Sequence, residues 1–145
     1  MNTTMLISIA IAASMLFTVP VFAADDQDSR EKIKLPDKMK QHMLGNMRDH
    51  LLALHEIQVA LAKGELDKSG DIAEQRIGMS SLASHNAAHM APYMPKAMQE
   101  IGTEMHHSAS RFAITAKEGD LIRALDSLSK VTQQCVACHA TFRIN

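Results

Sequence analysis

The sequence predicts an all-α fold, an antiparallel up-down-up-down four-helix bundle. No stretch after residue 23 alternates between apolar and polar side chains, and no run rich in Val, Ile and Tyr indicates a strand. Four long segments instead place apolar residues at a spacing of three and four, which is typical of helices that bury one face. The connections between these segments are short, so neighbouring helices are expected to run in opposite directions.

The first predicted helix opens at Leu35-Pro36 and ends at Gly64. Proline is tolerated in the first turn of a helix, and glycine commonly follows the last turn. The stripe predicted to face inward consists of Leu44, Met47, Leu51, Leu54 and Leu61, with Met43 and Ile57 on its flanks.

The second predicted helix begins near Asp71, with Glu74 three residues later as its capping-box partner, and continues to a break at residues 92–95. It carries many small side chains, which would let a neighbouring helix or a flat ligand come close. Its larger apolar residues are Ile72, Ile77, Met79 and Leu82.

The third predicted helix starts at Pro95, and the last follows Gly119 as a stop and Asp120 as an N-cap. The inward face of the third consists of Met98, Ile101, Met105, Ala109, Phe112 and Ala116. The stripe of the last helix consists of Leu121, Leu125, Leu128, Val131, Cys135, Cys138 and Phe142. Both cysteines are therefore predicted to face inward near the C-terminal end of the last helix.

Residues 1–23 have the pattern of a secretory signal peptide, an apolar stretch that ends in small residues before Ala24. No Lys or Arg precedes this stretch, so an uncleaved membrane anchor remains an alternative. Residues 24–145 are expected to form one domain, in which 24–35 are a polar leader. The predicted location is the periplasm, with no stable membrane association after cleavage.

The composition of the chain after the signal argues against a nucleic-acid partner. All 15 basic and 16 acidic residues lie there, so the domain is close to neutral and has no basic tract that would indicate a nucleic-acid partner. The chain has no Trp and one Tyr, so something other than aromatic rings must fill much of the core.

The segment Cys135-Val136-Ala137-Cys138-His139 has the C-x-x-C-H spacing of covalent haem attachment, and it contains the chain's only 2 cysteines. On a helical turn each thiol can add across one vinyl group of the same porphyrin, and His139 can supply an axial nitrogen to the iron. A thioredoxin-type disulfide would need a strand–helix context, and a zinc site would need a fourth ligand. The sequence therefore predicts one covalent haem c, which would also fill the core.

With this motif at its C-terminus, the chain resembles the class II cytochromes c, the family that contains cytochrome c′. The resemblance covers essentially all of residues 24–145, but its specific part is Cys135, Cys138 and His139 followed by Phe142 and Arg143. The family usually has Tyr where this chain has Phe142. The resemblance implies a four-helix bundle with haem near the end of the last helix and Arg143 close to the haem edge.

The resemblance also implies that a residue of the first helix approaches the other face of the iron. That position falls at Met47, whose thioether can bind iron, or at Met43 one turn earlier as a fallback. An open iron or ligation by His50 are the remaining alternatives. An inward methionine in a bundle most often serves only in packing, and 8 methionines follow the signal.

The expected function is that of a one-electron carrier with His/Met-ligated iron, which is not an enzyme and exchanges electrons with redox partner proteins. A homodimer through the first two helices is a further expectation from the resemblance. The alternative is a five-coordinate protein that binds nitric oxide or carbon monoxide. A weaker hypothesis is copper handling, because His85 and His89 are four residues apart in a stretch rich in Met and His.

Overall fold

The computed structural model describes residues 28–144, which are mostly helical. The elements in chain order are β1 (Glu31–Ile33), α1 (Asp37–Ala62), α2 (Leu66–Arg76), α3 (Ala87–Met90), α4 (Lys96–Ala116), α5 (Leu121–Thr141) and β2 (Phe142–Ile144). Single 3-10 turns lie at Met79–Ser81 and Ala91–Tyr93. The prediction of a helical protein is confirmed, with a small sheet added. The predicted signal peptide lies outside the described residues.

Among residues 28–144, no helix combines the length and the apolar character needed to cross a membrane.

Helix α1 begins and ends where the sequence predicted, but its inward face was partly misassigned. Pro36 precedes its first residue, and Gly64 follows it with a φ of +74°, which glycine adopts without strain. Leu51, predicted to face inward, is 70% exposed. The buried side chains of α1 are Met43, His50, Ala53, Ile57, Ala60 and Leu61. A histidine and two alanines thus occupy inward positions. Because the prediction considered only large apolar residues, it placed the inward face of α1 too far toward Leu51.

The second predicted helix was wrong in both its start and its length. Helix α2 begins at Leu66 and stops at Arg76, before the extended backbone of Gly78. Asp71 lies inside α2, where its carboxylate pairs at 2.7 Å with Lys117, the residue that directly follows α4. Glu74 does not cap a helix start, because its carboxylate accepts hydrogen bonds from the backbone and hydroxyl of Ser80.

After α2 the chain turns repeatedly rather than continuing as a helix. Asn86 has a φ of +54° and immediately precedes the short helix α3. Asparagine tolerates this left-handed conformation better than most residues, but it cannot continue a helix there. The predicted break near residues 92–95 is present, and Pro95 directly precedes α4 as predicted.

The long helices form two hairpins, α1 with α2 and α4 with α5, which meet where α2 packs on α4. The predicted N-cap of α5 is confirmed, since the Asp120 carboxylate accepts from the backbone N–H of Arg123 at 3.0 Å. The backbones of α1 and α5 are not closely packed, and side chains fill the space between them. The main core consists of Ala53, Ile57, Leu61, Ala73, Ile77, Ala109, Phe112, Ala116, Ala124, Leu128 and Val131.

The two short strands form a parallel sheet that the sequence did not predict. Glu31 pairs with Phe142 and Ile33 with Ile144, so the predicted polar leader is bound to the C-terminal end of the chain. Helix α5 stops at Thr141, and Phe142, predicted on its stripe, is buried as the first residue of β2. Three-residue strands are too short to produce a recognisable alternation.

At Gly70, helices α2 and α4 approach each other closely enough to exclude a side chain. A Cβ at Gly70 would lie 2.8 Å from the backbone oxygen of Ala113. We therefore expect Gly70→Ala to destabilise the protein by about 1–2 kcal/mol, since the overpacking cost exceeds the gain in helix propensity. Urea unfolding of the holoprotein measures this difference.

Gly102 provides the matched control within α4, because a Cβ there meets nothing within 4 Å. Gly102→Ala is expected to stabilise the protein by about 0.5–1 kcal/mol through helix propensity alone. Equal stability of the two variants would contradict the close approach of α2 and α4.

Candidate functional site

The two cysteines lie near the C-terminal end of α5, three residues apart and so on one face of the helix. Both are half-buried and both are free thiols, so they are not joined in a disulfide. The Cys135 thiol lies 3.5 Å from the backbone oxygen of Val131, to which it can donate a weak hydrogen bond.

Burial raises the pKa of both thiols, and the neighbouring Cys135 raises that of Cys138 further. Both thiols are therefore less readily deprotonated than an exposed cysteine. As the side chains stand, no group of three or more His, Cys, Asp or Glu residues within the described part of the chain is arranged to hold a metal ion.

Cys138 packs in a second apolar cluster in which five methionines meet, called here the methionine cluster. Its methionines are Met43, Met47, Met90, Met94 and Met98, drawn from α1, α3, α4 and the segment before α4. Met43 is buried and Met47 is half-buried. The structure thus brings both predicted axial methionines of α1 to the same cluster as Cys138.

His139 occupies the last turn of α5, and it is exposed rather than part of the methionine cluster. Its backbone oxygen accepts a hydrogen bond from Nη1 of Arg30 at 3.3 Å. The segment just before β1 therefore contacts the turn that carries this histidine.

Arg143 in β2 has a buried Nε without a hydrogen-bond partner among the described residues. This nitrogen lies 3.4 Å from a carboxylate oxygen of Asp28, which is close enough for an ion pair but lacks hydrogen-bond geometry. The side chain of Arg30 hydrogen-bonds the same carboxylate and lowers the pKa of Asp28 to about 2. Arg143 thus retains a buried donor that a further anionic group could satisfy.

Three buried histidines form a group that the sequence did not reveal, called here the histidine cluster: His50 of α1, His85 of the segment before α3, and His106 of α4. The ring centroids of His50 and His85 are 4.7 Å apart, those of His85 and His106 5.4 Å, and those of His50 and His106 6.4 Å. His89, predicted to share a face with His85, is exposed on α3 instead. The sequence signals for this cluster were the position of His50, one turn after Met47, and the stretch rich in Met and His that contains His85 and His106.

Hydrogen bonds hold His85 and His106 in defined positions. The backbone oxygen of His85 lies 3.0 Å from Nε2 of His42 and accepts from Nδ2 of Asn46 at 3.2 Å, which attaches this segment to α1. Nδ1 of His106 donates to the backbone oxygen of Ile77 at 2.5 Å.

Two surface depressions lie away from the cysteines. One lies between α2 and α4 and is lined by residues that include Asp71, Met79 and Lys117. The other lies between α1 and α2 beside His55 and Ile72. Neither touches the methionine cluster or the histidine cluster, so neither bears on the chemistry of the C-x-x-C-H segment.

The residues present fit a covalently bound haem in their donor chemistry. Two free thiols share one helix face, a histidine follows them directly, and the adjoining cluster contains thioethers and aliphatic carbon, which would suit an apolar ring. Comparison of the chain with protein-family models, with curated proteins and with solved structures found no match.

Proposed function

We propose that this protein is a periplasmic monohaem c-type cytochrome that carries one electron between redox partner proteins. The observation that carries the proposal is the packing of Cys138, within the C-x-x-C-H segment, against the same cluster as Met43 and Met47 of α1. That packing brings one of the two attachment thiols into the same cluster as two thioethers of a second helix.

Each residue has a distinct role in this proposal. Cys135 and Cys138 form thioether bonds to one porphyrin, His139 is one axial ligand, and Met47 is the second, with Met43 as the fallback. A haem bound here would supply an iron that gains or loses one electron, and Met/His ligation raises its reduction potential. With both axial positions filled, no site for a substrate remains, which is why the protein is proposed to be a carrier and not an enzyme.

The surrounding side chains support this position for the cofactor. Methionine side chains are unbranched and polarizable, so the methionine cluster can adapt its packing to a flat ring. We propose that the helices form a four-helix bundle with the ring near the end of α5, between α5 and α1, whose backbones are not closely packed. The buried Nε of Arg143 supports a contact with a propionate at the ring's edge.

The proposed location follows from the signal-peptide pattern of residues 1–23. A homodimer through the first two helices is supported by the exposed apolar side chains of Leu51, Leu52 and Val59 on α1.

The alternative function is that of a five-coordinate protein that binds nitric oxide or carbon monoxide. It is favoured by the presence of Met47 among four other methionines, because its thioether then contributes to packing whether or not it binds iron. The two functions differ in whether the sixth coordination position is filled.

Replacement of Met47 by leucine tests the carrier function. In the wild-type holoprotein we expect sharp, split visible bands on reduction, unchanged by carbon monoxide. In Met47→Leu we expect a high-spin spectrum that shifts with carbon monoxide, because leucine fills the volume but has no lone pair for iron. Absorption spectra of both proteins, oxidised and reduced, with and without the gas, provide the measurement.

Met98→Leu is the matched control, since Met98 is buried in the same cluster but lies on α4. Its spectrum is expected to match that of the wild type. A low-spin spectrum in Met47→Leu that is lost in Met43→Leu would transfer the ligand role to Met43. A wild-type spectrum that already shifts with carbon monoxide would establish the gas-binding alternative.

A further inference from the structure

The histidine cluster brings three imidazoles together from α1, α4 and the segment before α3, and the proposed haem site uses none of them. All three side chains are buried, with ring centroids 4.7, 5.4 and 6.4 Å apart. Three imidazoles that each bind one tetrahedral ion through a nitrogen at about 2.0–2.1 Å have centroids about 5 Å apart. Two of the three separations are close to this value, whereas the separation between His50 and His106 is longer.

The closest approach within the cluster is between two ring nitrogens. Nε2 of His50 and Nε2 of His85 are 3.4 Å apart. Two nitrogen ligands on a tetrahedral ion with bonds of about 2.0–2.1 Å are separated by about 3.4 Å. In a hydrogen bond at this distance one nitrogen carries the proton and the other accepts it, and a metal ion that replaces this proton would need little movement of either ring.

In His85 and His106 the Nδ1 nitrogen donates a hydrogen bond, as the nitrogen that does not bind the ion usually does in metal-bound histidines. Nδ1 of His106 donates to the backbone oxygen of Ile77. Nδ1 of His85 lies 3.2 Å from the hydroxyl of Ser81, which itself donates to the backbone oxygen of Gly78, so His85 is the donor to Ser81. Both rings consequently carry their proton on Nδ1 and have an unprotonated Nε2, the arrangement that outer hydrogen bonds impose on metal ligands.

Burial keeps the three rings in their neutral form. It lowers the pKa of His50 to about 4, with a further contribution from His85 and His106, and it also lowers the pKa of His85 and of His106. Neutral imidazole is the form that binds metal ions, so near pH 7 few protons would have to be released first.

We propose that His50, His85 and His106 form a second metal site, which binds one zinc or copper(II) ion through their Nε2 atoms. Imidazole nitrogens suit both ions, whereas calcium and magnesium require oxygen ligands. The His50–His85 pair is already at ligand spacing, and His106, whose ring is 6.4 Å from that of His50, moves inward to complete the set. This site is independent of the proposed haem.

Calorimetric titration of the purified holoprotein with zinc chloride, and separately with copper(II) chloride, tests this proposal. We expect one ion per chain in at least one titration, with the copper ion bound more tightly where both bind. His85→Gln and His50→Gln are each expected to weaken binding more than about tenfold, because each removes one of three ligands. His107→Ala is the matched control, since His107 is exposed on α4 beside His106.

The absence of binding in both titrations, or an equal loss in His107→Ala, would overturn the proposal. The melting temperature of the wild type tests the site without any variant that could misfold. A bound ion is expected to raise this temperature, and a chelator is expected to reverse the rise. No such rise with either ion also overturns the site.

Absorption spectra separate this result from the proposed function. The haem spectrum of His50→Gln is expected to match that of the wild type. Loss of the low-spin bands in this variant would instead make His50 an iron ligand and would remove it from a second site.

Discussion

Replacement of both Cys135 and Cys138 by alanine is expected to abolish covalent haem attachment completely. A thioether bond needs a sulfur at each vinyl group, and these are the 2 cysteines of the chain. Each single variant is expected to retain one thioether bond and a reduced yield of holoprotein. The measurement is haem staining of a denaturing gel, together with intact mass, after expression in cells that perform c-type haem attachment.

Val136→Ala provides the control, because Val136 lies between the cysteines but is exposed to solvent. Its haem staining is expected to equal that of the wild type. Haem that stays with the double-alanine chain after denaturation would refute the attachment role of the cysteines. A wild-type chain that carries no haem but contains a disulfide would show that the C-x-x-C segment is a thioredoxin-type redox pair instead.

Local signals in the sequence predicted the helix boundaries well where the structure depends on local chemistry. Asp120 caps α5 and Gly64 follows α1, because a side-chain acceptor and a left-handed glycine act within one turn of their own position. The second predicted helix failed for a tertiary reason. Asp71 pairs with Lys117, just after α4, rather than capping a helix, and the chain turns at Gly78 despite a continued run of small residues.

The candidate site also has one part that the local sequence predicts and another that depends on tertiary packing. The C-x-x-C-H segment is local and was readable directly, whereas the meeting of Cys138 with Met43 and Met47 depends on how α1 lies against α5. The histidine cluster is entirely tertiary, since 35 residues separate His50 from His85. A buried histidine also differs little from an exposed one in a hydrophobic pattern, so the predicted inward stripe of α1 did not include His50.

Truncation of Phe112 to alanine is expected to cause the largest loss of stability of any substitution considered for this chain. Phe112 is fully buried in the main core, where it is the one aromatic side chain among residues of α1, α2, α4 and α5. Several of its fellow core residues are alanines, which cannot reach into the space left behind, so a cavity would persist. The expected cost is about 3–5 kcal/mol in the free energy of unfolding, measured by urea denaturation of the holoprotein.

Ile114→Ala is the control on the same helix, since Ile114 is 66% exposed and its truncation is expected to cost less than about 0.5 kcal/mol. Because the main core is separate from the methionine cluster, Phe112→Ala is expected to retain covalently bound haem while its unfolding midpoint falls. Loss of haem attachment at unchanged stability would contradict that separation. Equal costs at the two positions would contradict the burial of Phe112, on which the packing of α4 against α2 and α5 depends.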